Sequence, residues 1–132
     1  MNSLANGQTT GGVRTTLRIE GALALLSCVV AYAHFGASWG TFALFFLAPD
    51  LSFFGYLAGP KIGAIAYNSA HSYIGALSAF LIGLMADWHI AIVVSLIWGA
   101  HIGFDRMLGY GLKYSSGFGF THLGIIGKSR ST

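Results

Sequence analysis

Charge is scarce in this chain. Four acidic and seven basic residues occur among 132, whereas a soluble domain carries about a quarter charged residues. The Lys and Arg side chains are too few and too scattered for a nucleic-acid surface, which excludes nucleic acid as a partner. Cysteine occurs once, at Cys28, so no intramolecular disulfide can form and the redox compartment stays open. Proline occurs twice, at Pro49 and Pro60. No long polar linker interrupts the chain, which reads as one unit.

What is present is apolar. The chain is 55% hydrophobic, with a mean hydropathy of +0.67. Four runs reach the roughly 20 apolar residues that cross a bilayer: 17–35, 39–58, 62–86 and 88–108. Their connections are short, so neighbouring helices should be antiparallel. The expected fold is all-α, a polytopic membrane protein with four antiparallel transmembrane helices in one bundle over residues 14–108. Pro49 lies inside the second run, where it removes a backbone donor and clashes with the carbonyl of Phe45. Residues 39–48 alone cover only about 15 Å, half a bilayer, so the second helix should be kinked at Pro49 rather than end there. Asp50 is then placed to cap the continuing helix.

The flanks read differently. Residues 1–13 and 125–132 are expected to be disordered. The segment 109–124, "GYGLKYSSGFGFTHLG", is glycine-rich and aromatic; it should lie along the interface with Lys113 on anionic lipid. Arg14 and Arg18 precede an apolar run ending in "AYA" (31–33), which resembles a signal-peptidase site. Glu20 inside that run, and the apolar runs downstream, point instead to a retained anchor.

Orientation follows from the basic residues. Arg14 and Arg18 precede the first run, Lys61 lies between the second and third, and Arg106, Lys113, Lys128 and Arg130 come at or after the end of the fourth. All seven fall on one side if both termini are cytoplasmic, as in a bacterial inner membrane. Trp39 and Trp88 then mark the outer interface, and Tyr56, Tyr110 and Tyr114 the inner one.

The polar residues sort by depth. With Arg18, Lys61 and Arg106 as inner markers and 1.5 Å per residue, Glu20 lies about 3 Å in, Asn68 about 10 Å and His71 about 15 Å. On the same ruler Asp50 lies about 16 Å in, His101 about 8 Å and Asp105 about 2 Å. Every helix thus supplies a polar group to the inner half of the bundle. His101 and Asp105 share one helix face at i and i+4, and Asn68 and His71 share another at i and i+3. Charged groups facing lipid cost several kcal/mol each, so a shared inner pocket of Asp50, Asn68, His71, His101, Asp105 and Arg106 is expected. Gly99 and Gly103 form a GxxxG on the far side of the fourth helix, and Gly75, Ala79 and Gly83 a small-residue stripe on the third; both suit close internal packing.

The ordered elements "RIEG" (18–21), "LAPDLS" (47–52), "GYLAGPKIGA" (55–64), "YNSAH" (67–71), "AHIGFDR" (100–106), "GYGLKY" (109–114) and "THLG" (121–124) resemble a family of small bacterial four-helix membrane proteins known only as a domain of unknown function. The resemblance covers residues 14 to about 124. It implies a bacterial membrane location and brings no activity with it. "PDLS" followed by a histidine also resembles the membrane-bound metal-dependent hydrolases, in which a Pro-Asp-aliphatic-Asp run precedes His and Thr-His-Ser elements. Here Ser52 stands at the place of the second aspartate and no Thr-His-Ser follows.

Several functions compete. In the first, His71, His101, Asp105 and Asp50 bind a divalent metal that activates water on a lipid-like substrate; mixed imidazole and carboxylate ligands suit zinc, manganese or iron. Glu20 and His122 are then candidate base or lid. A second is a proton or ion relay through Glu20, Asp50, His71, His101 and Asp105, which in four helices calls for a homo-oligomer. A third is a non-catalytic scaffold or subunit for a membrane partner protein, in which the polar groups orient helices. A fourth places haem between His71 and His101. The ruler opposes the metal site, because it separates Asp50 from Asp105 by about 14 Å.

Overall fold

A computed structural model describes residues 11–113 and 120–125. The disorder expected at 1–10 and 126–132, and the interfacial aromatics of 114–119, lie outside the described residues. Among the described residues, five α-helices and one 3-10 helix account for nearly all of the structure. They are α1 (Gly11–Phe35), α2 (Trp39–Phe45), the 3-10 helix (Ala48–Ala58), α3 (Pro60–His71), α4 (Tyr73–Met85) and α5 (His89–Leu108). Two-residue strands β1 (Phe120–Thr121) and β2 (Gly124–Ile125) pair antiparallel. Of the residues expected to be disordered, 11–13 form the first turn of α1 and Ile125, in β2, pairs with Phe120.

Three stretches are long and apolar enough to cross a membrane: Gly11–Phe35, Trp39–Ala58 and His89–Leu108; Tyr73–Met85 is apolar but shorter. The surface they present is oily, with Leu44, Leu57, Ile74 and Met85 each more than 70% exposed. Such a surface is consistent with a membrane protein.

Local chemistry sets the breaks. Ser38 opens α2, its Oγ accepting from Thr41 N at 3.2 Å, and its carbonyl accepts from the buried Tyr32 hydroxyl at 2.7 Å. In the second apolar stretch the α-helix ends at Phe45 and the chain resumes as a 3-10 helix with Pro49 in its first turn. Gly59, at φ 114°, turns the chain into α3, a conformation only glycine adopts without strain. The third expected crossing is interrupted: α3 stops at His71, Ser72 is extended (φ −96°, ψ 154°), and α4 begins at Tyr73.

Packing divides the molecule in two. The helices α1 and α4 both lie on α5, while the 3-10 helix lies on α3 as a hairpin. The α1–α5 seam is nearly backbone to backbone. A Cβ at Gly103 would stand 2.6 Å from Leu25 N and 2.7 Å from the Gly21 carbonyl oxygen, and one at Gly99 would stand 2.8 Å from Cys28 Sγ. The GxxxG of α5 is therefore an internal seam. On the other side, the Trp98 ring fills the space that a side chain at Gly75 would need, and Ile92 does the same at Gly83.

At the carboxy end of α5, Gly109 takes the left-handed conformation (φ 95°) and donates to the Arg106 carbonyl, and Tyr110 donates to that of Asp105, a glycine-terminated cap. Arg18 Nε donates to the Met107 carbonyl at 2.9 Å, and Arg14 Nε donates to that of Leu123. Two guanidinium groups thus gather where the helix carries its negative dipole end.

Candidate metal centre

Three segments deliver four side chains to one point. Asp50 comes from the first turn of the 3-10 helix, His71 from the last residue of α3, and His101 and Asp105 from successive turns of α5. His71 and His101 are 3% and 1% exposed; Asp50 and Asp105 side chains are 34% and 17% exposed.

The distances are short and similar. His71 Nε2 lies 3.1 Å from Asp50 Oδ1, 3.5 Å from Asp105 Oδ2 and 3.1 Å from His101 Nε2. His101 Nε2 lies 3.2 Å from Asp50 Oδ1 and 3.3 Å from Asp105 Oδ2. One ligand atom from each of the four residues lies within 4.8 Å of all the others. A tetrahedral ion bound at about 2.0–2.1 Å holds its ligand atoms about 3.3–3.4 Å apart. Five of the six edges of this group already match that figure. The sixth edge, between the two carboxylates, is not among these five, and the group could hold a metal ion.

The hydrogen bonding around the histidines points the same way. His71 Nδ1 lies 3.0 Å from the Tyr67 carbonyl, which accepts only if Nδ1 carries the proton. A neutral His71 therefore turns a lone pair at Nε2 toward His101 and the two carboxylates. The ring is stacked on Tyr67 at 3.8 Å and 5°, which fixes its plane. Arg106 donates to the His71 carbonyl at 2.9 Å, satisfying an acceptor left open at the end of α3. The Phe46 ring meets His101 edge-on at 5.2 Å. An imidazole oriented by a carbonyl behind it and a lone pair in front is the usual setting of a metal ligand.

The depth ruler fails at this site. It separates Asp50 from Asp105 by about 14 Å because it assumes straight, parallel helices of even rise. Breaks before Ala48 and at Ser72 free the hairpin from that geometry, and both aspartates reach the same two imidazoles.

The other expected members lie elsewhere. Asn68 shares the His71 side of α3 but is used by the segment after α5: its Nδ2 donates to the Lys113 carbonyl at 2.7 Å and its Oδ1 accepts from Lys113 N at 2.6 Å. Arg106 contacts the cluster through the His71 backbone. Glu20 and His122 line a separate cavity of about 230 Å³ with Tyr73 and Arg106, and neither belongs to the four-ligand group. His122 Nδ1 accepts from Leu112 N at 2.9 Å; burial, and then the Arg106 charge, bring its pKa down to about 4.

Lys113, expected on anionic lipid, is instead 4% exposed, with Nζ 4.9 Å from the centre of the Tyr67 ring. Burial lowers its pKa to about 8 against the opposing pull of Asp105. Tyr67 and Lys113 were not expected at the site. The i, i+4 spacing of Tyr67 and His71 was the available signal for the first, while nothing local marks the second.

Haem ligated on both faces would need the histidines set wider than they stand here. Two imidazoles on opposite sides of one metal stand about 4 Å apart, twice a bond of about 2 Å, and these nitrogens are 3.1 Å apart.

The helices thus define an apolar, membrane-like protein with a His₂Asp₂ cluster whose histidines are buried and whose aspartates are partly exposed. Residues 14–126 match the family described as a domain of unknown function, DUF4260, and the chain belongs to that family. No curated protein and no solved structure matches the chain.

Proposed function

We propose that this is a metal-dependent membrane protein in which Asp50, His71, His101 and Asp105 hold one divalent ion that activates water on a lipid-like substrate. The observation that carries the reading is the meeting of four Lewis bases, five of whose six separations are close to a tetrahedral edge. A cation is what makes such a group favourable away from water. Two imidazoles and two carboxylates suit zinc first, then manganese or iron. Asp50 is the most exposed of the four, so water or substrate enters beside it, as a fifth ligand or in its place. The ion's part is to lower the pKa of bound water and polarise the bond under attack.

The membrane reading goes with it. The chain crosses a bacterial inner membrane four times as an antiparallel bundle with both termini cytoplasmic, the second crossing bent at Pro49 and the third broken at Ser72. The gathering of Arg14, Arg18 and Lys113 around the carboxy end of α5 supports placing that end inside.

The test is cleavage of ester and phosphodiester lipids by protein reconstituted in liposomes. Chelator-sensitive product release, restored by the metal and lost in His101→Ala and Asp105→Asn, supports the reading. A folded, metal-loaded protein without cleavage of either class contradicts the enzyme and leaves a scaffold clasped by a metal.

One observation favours a second reading. Without a metal, a single proton shared between His71 Nε2 and His101 Nε2 at 3.1 Å would satisfy the pair, and the cluster would serve as a proton relay. Proton flux in metal-free liposomes, abolished by Asp105→Asn, separates the two.

A further inference from the structure

A cavity of about 570 Å³ lies next to the cluster, within the size range of ligand pockets. Its wall runs along α5 from His89 and Ile90 through Val94 to Ile97, and Phe45 and Pro49 face it from the second apolar stretch. Thr41 and His89 are its only polar side chains, apart from the Trp98 indole N–H, and that group is occupied by the Ala70 carbonyl at 2.6 Å.

The cavity and the cluster are consecutive parts of the same three segments. Pro49 and Ala70 line the cavity, and the next residues, Asp50 and His71, are ligands. On α5, Val94 and Ile97 precede His101 by seven and four residues, the spacing of a single helix face. None of the four cluster residues lines the cavity, but the neighbours of two of them do, so an apolar space adjoins a polar cluster, the layout of an amphiphile.

We infer that this cavity binds one acyl chain of a lipid, with its polar head at the Asp50–His71 end. The inference rests on the proposed metal-centre reading only for what happens to the head; binding of the chain stands without it. Size favours this occupant over a helix from a second copy. The wall from residue 89 to residue 98 is about 14 Å long at 1.5 Å per residue, so 570 Å³ leaves a cross-section of roughly 40 Å². An α-helix with its side chains, about 10 Å or more across, needs roughly 80 Å². The surroundings favour it too, since the space between apolar helices in a bilayer is filled by hydrocarbon.

Trp98 on the cavity wall provides the readout. In detergent-solubilised Trp39→Phe/Trp88→Phe protein it is the sole tryptophan, and bromostearic acid is titrated in as a contact quencher. The inference predicts saturable quenching with one acid per chain, weakened at least tenfold by Val94→Phe, which fills the channel. Near-ultraviolet circular dichroism shows whether that variant keeps its fold, and Ala48→Phe plugs the channel from the opposite wall. Quenching that rises linearly without saturation, or that neither plug changes, overturns the inference. Metal content measured on the same samples separates the two readings: saturable quenching without metal sinks the metal centre alone, and metal without saturable quenching sinks the acyl channel alone.

Discussion

His71 Nε2 faces His101 Nε2 at 3.1 Å while His71 Nδ1 is held by the Tyr67 carbonyl at 3.0 Å. The nitrogen that points into the cluster is therefore an acceptor whenever His71 is neutral, and two carboxylates stand beside it. Without a metal, two carboxylates and the Nε2 atoms of two imidazoles would be held at one point only by shared protons. Purified protein treated with a chelator should unfold at lower temperature, by about 2.7 kcal/mol relative to protein in metal at a hundred times its dissociation constant. His101→Ala should lose that sensitivity. Thermal unfolding in detergent with and without chelator measures both.

The seam between α1 and α5 gives a prediction free of the metal. The Cβ of Gly103→Ala would meet the Leu25 nitrogen and the Gly21 carbonyl oxygen, neither of which can move without shifting a helix. The variant should lose about 1–3 kcal/mol. Ala in place of Gly12, where a Cβ meets nothing within 4 Å, should cost far less. Unfolding of both variants in one detergent makes the comparison.

Acid should weaken the protein partly through His122. Its folded pKa, about 4, lies below the ordinary value of 6.5, so between these pH values the unfolded chain binds more protons and stability rises with pH. The contribution is fully present above pH 6.5 and is lost as pH falls toward 4. His122→Asn keeps an acceptor for the Leu112 N–H but cannot titrate. Its melting temperature should fall less than the wild type's between pH 7 and pH 4.5.

Much of this architecture is legible in the residues because long apolar helices follow simple rules. Runs of apolar residues mark three of the long stretches, and the i, i+4 spacing of His101 and Asp105 places both on one face of α5. The grouping of Asp50 with His71, His101 and Asp105 was legible as a candidate ligand set, although the depth ruler kept Asp50 apart from Asp105 because helix length fixes depth only for straight helices. The break at Ser72 has no proline or glycine to announce it. The burial of Lys113 depends on Asn68 reaching across 45 residues to its backbone, and no periodicity encodes a pairing at that distance. Glu20 shows the ruler from the other side: its depth is close to that of Asp105, but it sits on α1, which meets α5 through the glycine seam, and it is not in the four-ligand group.

The most direct test is the metal content of folded, detergent-purified protein and its variants. The account predicts one divalent ion per chain in the wild type, retained in Glu20→Gln and His122→Asn, and reduced at least tenfold in His71→Ala and His101→Ala. A wild type that takes up no divalent ion, or an ion that survives loss of both histidines together, would contradict it.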